Sequence, residues 1–129
     1  MKKSKLNIIY IVFFIGFLLG GDIYLPQPNL TGDVSLEEAI TSRRSVRTYT
    51  DKPLLVDQVS QLLWASYGIT SDRGFHSVPS AGATFPSEIF LLVRDVTDLQ
   101  SGLYSYNPYE HSISAIKQGD FQKIYKHFV

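Results

Sequence analysis

Ser42-Arg43-Arg44-Ser45-Val46-Arg47 puts three guanidiniums and two hydroxyls within six residues. A guanidinium is planar, presents forked donors and keeps its charge at every physiological pH. Such density suits an anion whose charge is spread over several oxygens, a phosphate above all. The same residues also suit a solvated surface or a nucleic-acid patch. Just upstream, Ser35-x-x-Glu38 has the spacing of a capping box, and Leu36, Ala39 and Ile40 recur at i, i+3, i+4. This pattern predicts a short helix whose C-terminal end delivers the arginines. That end of a helix is the negative one, so the guanidiniums and not the dipole have to hold any phosphate there.

A second stretch, Ser77-Val78-Pro79-Ser80-Ala81-Gly82-Ala83-Thr84-Phe85-Pro86, strings small residues between prolines. Small side chains let backbone amides approach a flat ligand, and the prolines fix the entry and exit of the loop. Further segments occur in order with these two: Ser35-Leu36-Glu37-Glu38-Ala39-Ile40, Ser60-Gln61-Leu62-Leu63-Trp64-Ala65 and Gly102-Leu103-Tyr104-x-Tyr106-x-Pro108. From about Leu25 to about Asp120 the set resembles the SagB-type branch of the nitroreductase family of flavoproteins. That family opens with a helix ending in Arg-x-Ser-x-Arg or Arg-x-Ser-x-Lys, here Arg43 to Arg47, and carries a Pro-Ser loop, here Pro79 to Gly82.

The resemblance implies an α+β fold, a nitroreductase-like mixed sheet flanked by helices. Such domains are longer than residues 22–129, so it implies the N-terminal portion of the domain, incomplete at the C-terminus. It implies FMN as cofactor, with Arg43, Ser45 and Arg47 at the phosphate and ribityl end. Arg44 lies inside the motif with its side chain free to point elsewhere, and Pro79, Ser80, Ala81 and Gly82 lie along the flavin ring. The implied chemistry is hydride transfer through flavin N5. For SagB-type enzymes that means oxidation of a thiazoline or oxazoline in a modified peptide. For general nitroreductases it means reduction of a nitroaromatic or quinone small molecule, with NAD(P)H as electron donor. A homodimer with the site at its interface is implied as well. Ala83 agrees with the SagB-type pattern where other nitroreductases have Asn, whereas Thr84-Phe85 replaces the Leu-Tyr usual in that branch. The alternative reading is a truncated, non-catalytic flavin-fold module anchored at the membrane.

The 129 residues are 44% hydrophobic and 13% aromatic, enough for one ordinary domain, and contain no cysteine. Disulfides, thiolate nucleophiles and Cys-based zinc sites are thereby excluded. Lys2, Lys3 and Lys5 precede an apolar run from Ile8 to Gly21, so residues 1–21 read as a signal peptide or a membrane anchor. The run is shorter than the ~20 residues that span a bilayer, which favours a signal. No Ala-x-Ala-like site follows, which favours an anchor. Either reading exports the domain, with the lysines left on the cytoplasmic side. Removing those three lysines leaves nine basic and twelve acidic residues, a net charge of −3 that argues against nucleic acid as partner.

Residues 22–34, with Pro26, Pro28 and Gly32, read as an extended linker or arm before the domain at 35–129. Residues 46–50 are short and extended. Asp57 is expected to cap a second helix with Val59, Leu62, Leu63 and Tyr67 on one face and Gly68 as its stop. Trp64 and Tyr67 suit core packing or stacking on a ligand. Ile89-Phe90-Leu91-Leu92-Val93 reads as a strand buried on both faces at the centre of a sheet. Two alternating runs around Asn107-Pro108-Tyr109-Glu110 predict a hairpin, and Asp120 starts a helix with Phe121, Ile124, Tyr125 and Phe128 on one face.

No serine has a His/Asp arrangement beside it, and His76, His111 and His127 are scattered without metal-ligand spacing. His76, just before the Pro-Ser loop, is placed to reach an active-site cleft but is expected in solvent, and His111 is expected to cap the hairpin. Gly-rich phosphate loops of Rossmann or P-loop spacing are absent. A chain without a nucleophile is compatible with a cofactor that carries the chemistry itself.

Overall fold

Inward and outward side chains alternate along residues 102–107, and the fold is built on the hairpin that this alternation permits. The computed structural model describes residues 21–121. The expected signal or anchor lies outside them except for Gly21, as does the expected C-terminal helix beyond Phe121. In chain order the elements are β1 (Ile23–Tyr24), α1 (Leu36–Ser42), α2 (Val56–Tyr67), β2 (Phe90–Val93), β3 (Gly102–Asn107) and β4 (Ser112–Gln118). The strands form one sheet in the order β1-β4-β3-β2, with every pairing antiparallel. The α+β class expected from the sequence is the class observed.

Tyr106 faces Ile113 and Tyr104 faces Ala115 across the β3–β4 ladder, with a bulge between Leu103 and Tyr104. These inward residues, with Val93 of β2 and Val59 and Leu63 of α2, make the core. The Tyr104 hydroxyl, at the edge of that core, donates to the Gln100 carbonyl at 2.8 Å. β2 corrects one expectation. It closes the strand order instead of lying at its centre, and Phe90 is 55% exposed. A continuous apolar run does not say how many of its sides are covered.

α2 corrects two more. Its N-cap is Leu55, whose N–H donates to Gln58 Oε1 at 2.9 Å, and Asp57 sits inside the first turn. Leu62 is exposed while Val59, Ser60, Leu63 and Tyr67 are buried. The helix does stop at Gly68, but not through a left-handed residue, since Gly68 has φ −65°. The requirement is space. A Cβ at Gly68 would lie 2.3 Å from Trp64 Cδ1, because the indole folds over the helix end to donate from Nε1 to the Ile69 carbonyl.

The arm before α1 is laced to α2 and the hairpin by polar contacts. Leu25 N–H donates to the His111 carbonyl at 3.0 Å, and Gln61 pairs with both backbone groups of Asn29, at 2.7 and 3.1 Å. The Pro26 carbonyl accepts from Ser60 Oγ at 2.5 Å and from His111 Nε2 at 3.0 Å. A carbonyl only accepts, so His111 carries its proton on Nε2, and the Tyr106 hydroxyl, 2.8 Å away, donates to Nδ1. His111 therefore sits in the hairpin turn as expected, and also joins the arm, α2 and β3. Among the described residues no helix is long and apolar enough to cross a membrane.

Gly68→Ala is expected to destabilise the fold by about 1–3 kcal/mol, since the indole has to leave its carbonyl to make room. Urea unfolding followed by Trp64 fluorescence measures it, with a lowered midpoint and a shifted native emission. Burial pushes the Tyr106 phenol up to about 12 from 10.0, so the folded chain keeps a proton that the unfolded chain releases. Stability is accordingly full below pH 10 and falls as the pH rises from 10 through about 12. Unfolding midpoints across that range are expected to drop more steeply for the native chain than for Tyr106→Phe.

Candidate functional site

The arginine segment follows directly from the end of α1. Ser35 Oγ accepts the Glu38 N–H at 3.1 Å, which starts the helix at the predicted residue. At the other end, Arg44 Nη1 donates to the Thr41 and Arg43 carbonyls at 2.9 and 2.8 Å. Arg44 thus caps carbonyls that the last helical turn leaves open and brings positive charge to the negative end of the helix. Arg43, Ser45 and Arg47 are different. Their side chains are exposed and make no hydrogen bond or ion pair among the described residues. Every residue in 31–55 is exposed, so no packing within the described residues covers this segment.

The Pro-Ser loop, in contrast, is fastened along its length. Ser77 N–H donates to the Gly68 carbonyl at 2.8 Å and Ser77 Oγ to the Ala65 carbonyl at 3.1 Å, which ties the loop entry to the end of α2. Ser80 Oγ accepts the Phe85 N–H at 2.9 Å, and the Ser80 carbonyl accepts the Ala83 N–H at 3.2 Å. Between them Ala81–Ala83 make one short turn in which Gly82 has φ 64°. Ala83 and Phe85 follow at φ 52° and 44°. Left-handed backbone is costly for a residue with a Cβ, and doubly so for Phe85, because the residue before a proline favours extended backbone. Conformations of this kind persist only where the surroundings over-determine them, and they gather at ligand sites.

His76 corrects the expectation that it lies in solvent. It is buried, 9% exposed, with its ring 4.0 Å from that of Tyr67 and 4.6 Å from that of Phe85. Its Nδ1 lies 2.7 Å from the Tyr67 carbonyl, which fixes the proton on Nδ1. Tyr67 is itself buried, with a hydroxyl that has no partner among the described residues, so ring packing and not a phenol bond holds it there. Trp64 and Tyr67 therefore serve packing at the end of α2. The buried role of His76 depends on Tyr67 and Phe85, which the fold brings to it. Its position immediately before Ser77-Val78-Pro79 was the available signal.

The structure keeps Arg43, Arg44, Ser45 and Arg47 together on one segment and Pro79, Ser80, Ala81 and Gly82 together on another. Among the described residues no hydrogen bond, ion pair or ring contact joins the two. A cleft of about 570 Å³ lies between α2 and β2, lined by Leu54, Val59, Leu62, Leu63, Leu91 and Val93 among others, and neither segment lines it. His, Asp and Glu residues gather into no group of three that suits a metal among the described residues.

Comparison with known proteins identifies the family. The Nitroreductase family matches residues 40–128. Over 98 residues the chain is 44% identical to a nitroreductase-named protein of Methanocaldococcus jannaschii, a match covering 76% of this chain and 49% of that protein. The trifolitoxin operon protein TfxC of Rhizobium leguminosarum bv. trifolii is 29% identical over 112 residues, covering 75% of this chain and 31% of the relative. A crystal structure of a nitroreductase-named protein from Anabaena variabilis matches with a TM-score of 0.66 at 24% identity, over 88% of this chain and 24% of that one. The chain thus spans about half the length of the first relative and under a third of the second. With the family matched across more than half of its residues and the fold shared with a solved relative, the chain belongs to the nitroreductase family.

Proposed function

We propose that this chain is the part of an FMN-dependent oxidoreductase of the SagB type that holds the cofactor's phosphate and one side of its ring. The observation that carries this reading is the contrast between the two segments. Arg43, Ser45 and Arg47 offer cationic and hydroxyl donors without partners among the described residues, as a phosphate requires. The loop offers small residues at 79–82, and directly after them Ala83 and Phe85 are fixed in costly left-handed backbone. Arg44, engaged with Thr41 and Arg43, contributes charge to this site more than direct contacts.

These residues fit FMN in both of its parts, an anionic end and a flat one. The bound flavin would supply hydride acceptance and donation, which no side chain here provides. The chain's own work is to bind and orient it. Donors on Arg43, Ser45 and Arg47 neutralise the phosphate, and the short side chains of Ala81 and Gly82 leave the loop backbone open to the ring. NAD(P)H is the proposed electron donor, and a small molecule or a modified peptide the proposed substrate. Ala83 supports the SagB-type branch, and Thr84-Phe85 marks the substrate side as its own. The lysines and apolar run of residues 1–21 support a domain held on the extracytoplasmic side, exported or anchored, and the family resemblance supports a homodimer.

One observation favours a second reading, a flavin-fold module without activity of its own. The segment that carries the arginines is exposed throughout residues 31–55, and a binding shell acts only when it is held rigidly. Flavin retention separates the two readings. The full chain, incubated with FMN and desalted, is expected to keep a yellow visible band that bleaches with NADH or dithionite, whereas the second reading predicts a colourless protein. Arg43→Ala and Arg47→Ala are each expected to weaken FMN by about 10- to 100-fold, the worth of one charge-assisted hydrogen bond. Titration of flavin fluorescence checks this. Arg44→Ala, which loses the helix cap, is expected to have the smaller effect.

A further inference from the structure

We propose that His76 is a positioning residue for the flavin: it clamps the Pro-Ser loop to the end of α2 and holds residues 80–85 in their binding shape. This inference rests on the FMN reading above and adds a residue outside both of the segments that the sequence singled out. The clamp has two halves. On one side, Nδ1–H donates to the Tyr67 carbonyl at 2.7 Å, a group in the last turn of α2 that has no helical partner. On the other, the imidazole lies between the rings of Tyr67 and Phe85, with centroids at 4.0 and 4.6 Å and tilts of 31° and 36°. The Tyr109 ring meets it edge-on at 6.0 Å.

Phe85 is the residue that makes this contact matter. Its N–H closes the loop on Ser80 Oγ, and its φ of 44° before Pro86 is a conformation that the isolated chain would leave. The ring contact with His76 pulls Phe85 toward α2, and the Ser77 bonds to Gly68 and Ala65 fix the entry on the same helix end. Both ends of the loop are then fastened to one rigid element. The residues between them, Ser80 to Thr84, keep their shape before any ligand arrives. Preorganisation of this kind lowers the ordering cost of binding.

The test compares His76→Ala and His76→Phe with the native full chain by amide hydrogen exchange and by FMN titration. In His76→Ala the amides of Ala83 and Phe85 are expected to exchange at least about tenfold faster while those of β3 and β4 keep their rates. FMN is expected to bind about tenfold more weakly, the cost of ordering the loop on binding. His76→Phe keeps a ring between Tyr67 and Phe85 but loses the bond to the Tyr67 carbonyl, and is expected to recover part of both losses. Unchanged exchange at Ala83 and Phe85 in His76→Ala overturns the clamp. So does equal acceleration in β3 and β4, which would make His76 a residue of general stability. Faster loop exchange with unchanged FMN affinity overturns the link to the flavin. If the native chain itself retains no flavin, the FMN reading falls first, and the proposal built on it falls with it.

Discussion

The carbonyl of Pro26 accepts hydrogen bonds from Ser60 and His111, and the fold depends on that junction. Proline has no N–H to offer, so its carbonyl is the only backbone group through which the arm can be tied at this point. Ser60 is 1% exposed on the inner face of α2, and a hydroxyl buried there without an acceptor would cost about 1–3 kcal/mol. His111, at φ 49° in the hairpin turn, reaches the same carbonyl and is held from behind by the Tyr106 hydroxyl. Arm, helix and hairpin are thus joined by groups that satisfy one another, beside a core of Tyr104, Tyr106 and Ile113 that excludes competing water. With α2 placed by that junction, its C-terminal end becomes the fixed point from which the Pro-Ser loop is hung.

That dependence explains why the two candidate segments differ so much. The loop at 77–85 begins within reach of Gly68, Ala65 and Tyr67, all at the end of a helix packed on the sheet, and it inherits their rigidity. The arginines follow α1, a helix of seven residues with none buried. Such a helix is too short to be stable in water through its own hydrogen bonds, and among the described residues its ends are held by local groups, the Ser35 cap, the Ser42 hydroxyl, the Arg43 N–H and Arg44. One half of the candidate site is therefore built by tertiary structure and the other by local chemistry.

The sequence was legible where a pattern is local. The Ser35 cap, the Gly68 stop and the β3–β4 hairpin follow from spacing alone, because capping, helix termination and strand alternation are decided by near neighbours. It was not legible where the answer depends on distant partners. The strand at 90–93 reads the same whether one or both of its edges and faces are covered, and Asp57 yields the cap position because Gln58 reaches back to the Leu55 N–H. The contacts of His76 and His111 carry no local mark, since their partners Tyr67, Phe85, Ser60 and Pro26 are gathered by the fold. The candidate site itself was found as residue types in order, and the structure adds that these types sit on two supports of unequal rigidity.

Unequal support has an energetic consequence for phosphate binding. Fixing the backbone of a single residue costs about 1–2 kcal/mol, and one charge-assisted hydrogen bond contributes about 1.5–3 kcal/mol. Arg43, Ser45 and Arg47 span five residues, so ordering that stretch on arrival of the anion would consume most of what its contacts give back. Tight binding therefore requires that the stretch be fixed beforehand by some other term. Apolar burial is the term of sufficient size, since fully covering one large side chain is worth about 1.5–3 kcal/mol. Leu36, Ile40, Val46 and Tyr49 flank the arginines and are 71%, 64%, 65% and 82% exposed, so covering them would offset an ordering cost of the same size. The affinity of the arginines for an anion is in this way set less by the guanidiniums than by whether the apolar side chains around them are covered.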